Sequence, residues 1–92
     1  MTKRQPLSDA QVQAQLPAGW AGDAREISRE FTFGSYQAGV DFAVRVAQAA
    51  DQSDHHPDLL IGYKRVKVMF STHDAGGVTA LDIAGAQAVN GL

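Results

Sequence analysis

The order of secondary structure is decided at the stretch Asp51-Gln52-Ser53-Asp54-His55-His56-Pro57, where a helical pattern stops and a strand pattern starts. Proline cannot continue a helix, and it forces the residue before it into an extended conformation. His55 and His56 are therefore predicted to lie on a short loop that follows a helix. Because adjacent residues in an extended segment point to opposite sides, we expect the two imidazoles to diverge, one toward a pocket wall and the other toward its mouth.

Upstream of the histidine pair, the pattern predicts a helix, two strands and a second helix. Ser8 and Gln11 form a capping box at the start of the first helix, which we expect to end near Leu16. A short, weakly marked strand follows. Apolar and polar side chains then alternate through residues 25–33, as in a half-buried antiparallel strand. The second helix is predicted to span residues 36–50.

The apolar residues of this second helix cover a wide arc. Tyr36, Val40 and Val44 follow the three-four spacing of one helical face, while Phe42 and Val46 lie on a neighbouring face. Such an arc indicates contact on more than one side. One contact is the sheet, and the other is either a partner subunit or further burial within the chain; the sequence leaves both open.

Downstream of the histidine pair, the pattern predicts two strands and a last helix. The strands cover residues 58–63 and 66–72. Thr79 and Asp82 form a second capping box, and the helix they start is expected to end near Val89. The resulting order αββαββα implies an α+β fold, a four-stranded antiparallel sheet covered by helices.

Length and composition limit the possible classes of function. The 92 residues are enough for a single domain, residues 1–92, with a modest core. The chain has no cysteine, which excludes disulfides, thiolate catalysis and cysteine–zinc sites. The formal net charge of −2 argues against a nucleic-acid binder. No secretory signal and no run of about 20 apolar residues is present, so we expect a cytoplasmic protein that does not interact with membranes.

The third histidine lies at the far end of the strand pattern 66–72. His73 has the same parity as Lys67 and Met69, so it should project on the more open side of the sheet. Imidazole, with a reference pKa of roughly 6.5, both gives and takes protons near neutral pH, which suits acid–base chemistry. A zinc site is the rival interpretation, but zinc ligands must converge, whereas adjacent His55 and His56 should diverge.

Three carboxylates accompany the histidines. Asp54 adjoins His55 and can hold the tautomer of its imidazole. Asp51 either orients an imidazole or only ends the second helix. Asp82 already has a sufficient structural role in the capping box of the last helix, and we assign it that role.

The spacing of these residues resembles a family signature. Asp51, three residues, His55-His56-Pro57, five residues, Tyr63, nine residues, His73, eight residues and Asp82 match the pattern of the pterin-4a-carbinolamine dehydratases. Each fixed position is matched at its spacing. The resemblance extends over nearly the whole chain, from about residue 7 onward.

This resemblance implies a cofactor-free, metal-free lyase. Such enzymes remove water from 4a-hydroxytetrahydrobiopterin-type pterins to give quinonoid dihydropterin, in tetrahydrobiopterin recycling. By position, His55 and His73 are expected to be the catalytic acid–base pair. His56, Asp51 and Asp54 are expected to bind substrate. Tyr63 is expected to serve in packing or as a pocket wall.

The resemblance also implies assembly. Members form homodimers and homotetramers in which dimers join their sheets edge to edge. Two alternatives stay open at this point: a non-enzymatic dimerisation cofactor for a transcription factor, and a pterin-related role in molybdenum-cofactor metabolism.

Overall fold

The computed structural model describes residues 5–92 and confirms the predicted order of elements. The elements are the helices α1 (Asp9–Gln15), α2 (Tyr36–Ser53) and α3 (Ala80–Asn90), the strands β1 (Ala21–Gly22), β2 (Ile27–Thr32), β3 (Asp58–Gly62) and β4 (Arg65–Phe70), and a 3₁₀ helix at His73–Ala75. Both predicted capping boxes are present, one at Ser8 and one at Thr79. Among the described residues, no helix is both long and apolar enough to cross a membrane.

The four strands form one antiparallel sheet in the order β1-β2-β4-β3. Strand β4 is therefore central, with Ile27 of β2 opposite Phe70 and Leu59 of β3 opposite Val68. In this sheet β3 has a neighbour on one side only. The residues that connect α2 to β3, which include both adjacent histidines, consequently lie at the corner of the sheet.

The core lies on the face of β4 that the alternation predicted. Val66, Val68 and Phe70 are at most 2% exposed, and the residues between them, Lys67 and Met69, are half-buried. All three helices pack against that face. Their contributions to the buried cluster are Val12 from α1, Phe42 and Val46 from α2, and Ile83, Ala86 and Val89 from α3.

Helix α2 is longer than expected, and only part of its apolar arc is buried. It continues to Ser53, about one turn beyond the predicted end, because Pro57 restrains only the residue before it, His56. The helix ends at Asp54, whose backbone is left-handed (φ 53°). Its buried face includes Phe42 and Val46. The other apolar series is open, with Tyr36 and Val44 about half exposed.

Strand β4 begins one residue earlier and ends two residues earlier than predicted. Arg65, predicted to belong to the turn, is the first residue of β4, because Lys64 alone adopts the left-handed conformation (φ 61°) that reverses the chain. At the other end β4 stops at Phe70, two residues before the predicted end.

The segment after β4 closes on itself. The backbone N–H of Thr72 donates to Gly77 O at 2.9 Å, and the N–H of Gly77 donates to Thr72 O at 3.3 Å. Gly77 also lies against another segment: a Cβ at this position would stand 2.5 Å from the carbonyl oxygen of Ala24, which accepts a hydrogen bond from Val78 N. The loop that carries His73 is thus held by backbone contacts that tolerate no side chain at Gly77.

We therefore expect Gly77→Ala to destabilise the protein by about 1–3 kcal/mol, since the new methyl group meets backbone that cannot move aside. Urea unfolding followed by circular dichroism measures this change. Gly34→Ala is the matched control, because a Cβ there meets nothing within 4 Å and its φ is not positive; its stability should be unchanged or slightly raised. Equal effects of the two substitutions would contradict the proposed contact.

Candidate active site

The fold brings the three histidines to one open pocket. His55 and His56 reach it from the loop between α2 and β3, and His73 reaches it from the loop after β4. Four further residues line it: Asp54, Ser71, Thr72 and Asp74. Its volume of about 360 Å³ falls within the range of roughly 300–1,000 Å³ that is usual for small-molecule sites.

His55 is held on two sides. Its Nε2 atom lies 2.6 Å from Oδ1 of Asp82, and its side chain is 12% exposed. Its ring stacks on Phe70 with a centroid distance of 5.9 Å and an interplanar angle of 10°. The backbone N–H of His55 donates to Ala50 O at the end of α2. These contacts hold the imidazole ring of His55 in one orientation.

His56 has a separate carboxylate partner, as the predicted divergence requires. Its Nε2 atom lies 2.9 Å from Oδ1 of Asp51 in the last turn of α2. Both side chains are exposed, His56 by 57% and Asp51 by 78%. Asp51 therefore contacts an imidazole in addition to its place near the helix end. The pair lies at the surface, where an ion pair adds little to stability.

Asp82 is the residue whose contact the sequence did not reveal. Its Oδ2 atom accepts hydrogen bonds from the backbone N–H of Thr79 and from the hydroxyl of Thr72, at 2.8 and 2.7 Å. The first of these is the predicted cap. Its Oδ1 atom contacts His55, 27 positions away, and the carboxylate is fully buried. Only its place in the signature hinted at a second role.

Asp54 does not have the role expected of it beside His55. The carboxylate that contacts His55 is that of Asp82, because the left-handed backbone of Asp54 turns the chain at the end of α2. Asp54 does line the pocket.

His73 also lies somewhat differently from the expectation. It begins the 3₁₀ helix and is exposed, rather than ending a strand. Its position follows from the closed loop between Thr72 and Gly77. Next to it, the Ser71 hydroxyl donates to Arg25 O at 2.7 Å, which holds the approach to the loop against the start of β2. Neither Ser71 nor Thr72 was predicted to be a site residue.

The sequence profile of the family described as Pterin 4 alpha carbinolamine dehydratase matches residues 5–92. The chain belongs to this family. A relative from Natronomonas pharaonis, named "Putative pterin-4-alpha-carbinolamine dehydratase", is 49% identical over 84% of this chain and 84% of its own length. A relative of the same name from Mesorhizobium japonicum is 46% identical over 98% of this chain and 95% of its own length.

Solved structures agree with the pterin dehydratase fold. A transcriptional coactivator/pterin dehydratase from Brucella melitensis superposes with a TM-score of 0.84 at 34% identity, covering 95% of this chain and 97% of its own. A pterin dehydratase-like protein identified as a RuBisCO assembly factor in the alpha-carboxysome superposes with a TM-score of 0.62 at 22% identity, over 78% of this chain and 83% of its own. The second likeness shows the shared fold alone.

One residue of the family signature lies away from the pocket. Tyr63 follows β3 at the end opposite the histidine loop, roughly 16 Å along the strand. It is 72% exposed, with Lys64 Nζ 5.2 Å from its ring centroid. The expectation that it serves in packing or as a wall of this pocket is wrong for the single chain, because the tight hairpin turn carries it outward.

The two histidine–aspartate pairs should differ in what they contribute to stability. Asp82→Ala leaves buried donors on Thr72 and Thr79 without an acceptor, so we expect a loss of about 2–4 kcal/mol in the free energy of unfolding. Asp51→Ala removes an exposed partner and should change it by less than about 0.5 kcal/mol. Urea titrations of both variants measure the difference. Similar losses in the two variants would show that the burial of Asp82 is not what stabilises the site.

Proposed function

We propose that the protein dehydrates 4a-hydroxytetrahydrobiopterin-type pterins to quinonoid dihydropterins. The observation that carries the proposal is the convergence of three imidazoles from two separate loops on one pocket of small-molecule size. Membership of the family supports the same reaction class.

The reaction needs two proton transfers and no electron transfer. The bond between C4a and its hydroxyl oxygen breaks, and the hydroxyl takes up a proton and leaves as water. The neighbouring ring nitrogen loses its proton and forms a double bond to C4a. One group must therefore donate a proton and another must accept one, and each such positioned group typically contributes about 10²–10⁴-fold.

His55 and His73 are the proposed pair of proton-transfer groups. They come from two separate loops that line the same pocket, so a bicyclic ring bound there can meet both. His55 is rigid because of Asp82 and Phe70. His73 is exposed at the open side of the pocket.

The polar edge of the pterin ring offers both N–H donors and acceptors. The carboxylate of Asp54, which lines the pocket, suits the N–H donors of that edge. His56 offers its ring at the mouth of the pocket, and Asp51 holds that ring from behind. These three residues are the proposed substrate-binding set.

The biological setting that fits this chemistry is recycling of tetrahydrobiopterin. A pterin of molybdenum-cofactor metabolism is the alternative substrate class, and turnover of different synthetic pterins distinguishes the two. A purely non-enzymatic cofactor role is the other alternative. The converging histidines favour the enzyme, since a scaffold has no need for a buried carboxylate that orients an imidazole.

The protein is further proposed to assemble as a homodimer or homotetramer. Of the six large apolar side chains that are exposed among residues 5–92, five lie on α2 or on or next to β3: Tyr36, Val44, Leu60, Ile61 and Tyr63; the sixth is Leu92. Strand β3 is an edge strand of the described sheet, and an edge with free backbone groups is a template for pairing.

We expect His55→Ala and His73→Ala each to lower kcat by about 10²–10⁴-fold, because each removes one proton-transfer group. Stopped-flow absorbance of a synthetic 4a-hydroxytetrahydropterin measures the rate. His56→Ala is the matched control at the same pocket and should mainly raise KM. Unfolding curves establish that the variants are folded. Parent-like kcat in both catalytic variants would refute the assignment, and loss of activity in a chelator would reveal a metal requirement.

Assembly is expected to give a light-scattering mass of two or four chains of 9.8 kDa at micromolar concentration. Leu60→Lys and Val44→Lys place a charge on the two apolar surfaces and should each lower that mass. Gln87→Lys, on the exposed side of α3, is the matched control and should leave it unchanged. A parent protein that elutes as a single chain would rule out the assembly.

A further inference from the structure

The hydroxyl groups of Thr72 and Thr79, which lie beside Asp82, can donate their hydrogen bonds in only one direction. The hydroxyl of Thr72 has a single proton, and it donates that proton to Oδ2 of Asp82 at 2.7 Å. Thr72 Oγ1 also lies 2.8 Å from Thr79 Oγ1, so in that contact Thr79 must be the donor. The protons therefore run from Thr79 to Thr72 and from Thr72 to Asp82.

The carboxylate of Asp82 determines the proton position on His55. Oδ2 of Asp82 already accepts from the Thr72 hydroxyl and from the backbone N–H of Thr79. An ionised carboxylate only accepts hydrogen bonds, so Nε2 of His55, 2.6 Å from Oδ1, must donate. In neutral His55 the proton is then on Nε2, and Nδ1 is the nitrogen with the free lone pair.

We propose that Thr72 is a positioning residue that holds the carboxylate of Asp82 in the rotation that sets this tautomer, so that Nδ1 is the atom of His55 that exchanges protons with the substrate. This inference rests on the proposed dehydration. Thr72 acts through Asp82: its donated hydrogen bond fixes the rotation of a buried carboxylate, and the carboxylate fixes the imidazole. The Thr72 side chain is 2% exposed, which keeps water from competing for the same acceptor.

The same residue also positions the second histidine. Thr72 directly precedes His73, and its backbone N–H and C=O both pair with Gly77 to close the loop. One residue thus connects the two proposed proton-transfer groups, through its hydroxyl on one side and its backbone on the other.

Two substitutions distinguish the role of the Thr72 hydroxyl from the role of the Thr72 backbone. Thr72→Val removes the hydroxyl but keeps the β-branched shape and the loop closure, whereas Thr72→Ser keeps the hydroxyl. We expect Thr72→Val to lower kcat by about 10–100-fold with little change in KM, and Thr72→Ser to retain most of the activity.

The direct readout is the tautomer of His55. Long-range ¹H–¹⁵N correlation spectra of histidine-labelled protein at about pH 8.5, above the reference pKa of roughly 6.5, distinguish Nε2–H from Nδ1–H. The parent and Thr72→Ser should show Nε2–H alone, and Thr72→Val should show a mixture. Phe42→Leu is the control for a buried substitution, because the ring of Phe42 contacts Phe31 and Phe33. The tautomer of His55 and the kcat of this variant should match those of the parent.

Each outcome has a distinct meaning. An Nδ1–H tautomer in the parent overturns the inference even if Thr72→Val does not fold. A folded Thr72→Val with the parent's tautomer and kcat overturns it as well. A parent that shows the Nε2–H tautomer but no dehydratase activity would instead refute the proposed function and leave the positioning intact.

Discussion

The buried carboxylate of Asp82 joins three parts of the chain that are remote in sequence. It caps α3 through Thr79, accepts from Thr72 after the central strand, and meets His55 in the loop before β3. A charge taken out of water is tolerated only where hydrogen bonds replace its hydration. The three segments must therefore meet at one point with matched geometry, and two of the residues that meet there, His55 and Thr72, line the pocket.

The pocket combines rigid and exposed groups. His55 is buried between a carboxylate and an aromatic ring, while His56 and His73 lie in contact with solvent. Backbone contacts set the position of His73, since the loop between Thr72 and Gly77 closes through two hydrogen bonds and leaves no room for a side chain on Gly77. A fixed group beside an open one suits the proposed reaction, in which a proton donor or acceptor is held steady while the pocket admits a bicyclic ligand.

One edge of the sheet exposes apolar side chains. Strand β3 is an edge of the sheet, and Leu60, Ile61 and Tyr63 on or beside it are exposed. A chain of 92 residues buries a limited fraction of its apolar surface alone, so association is a natural way to bury more. The position of Tyr63, which belongs to the family signature yet lies away from its own pocket, fits this view.

Local features of the fold could be predicted from sequence because they depend on residues three or four positions apart or on simple alternation. The capping boxes at Ser8 and Thr79, the inward face of Val66, Val68 and Phe70, and the divergence of His55 and His56 are of this kind. Helix and strand ends were less accurate, since the left-handed residues Asp54 and Lys64 set them. The contact between Asp82 and His55 and the chain of hydroxyls through Thr72 were decided by tertiary structure. Each depends on how distant segments pack around the central strand, and the spacing of residues along the chain does not predict that packing.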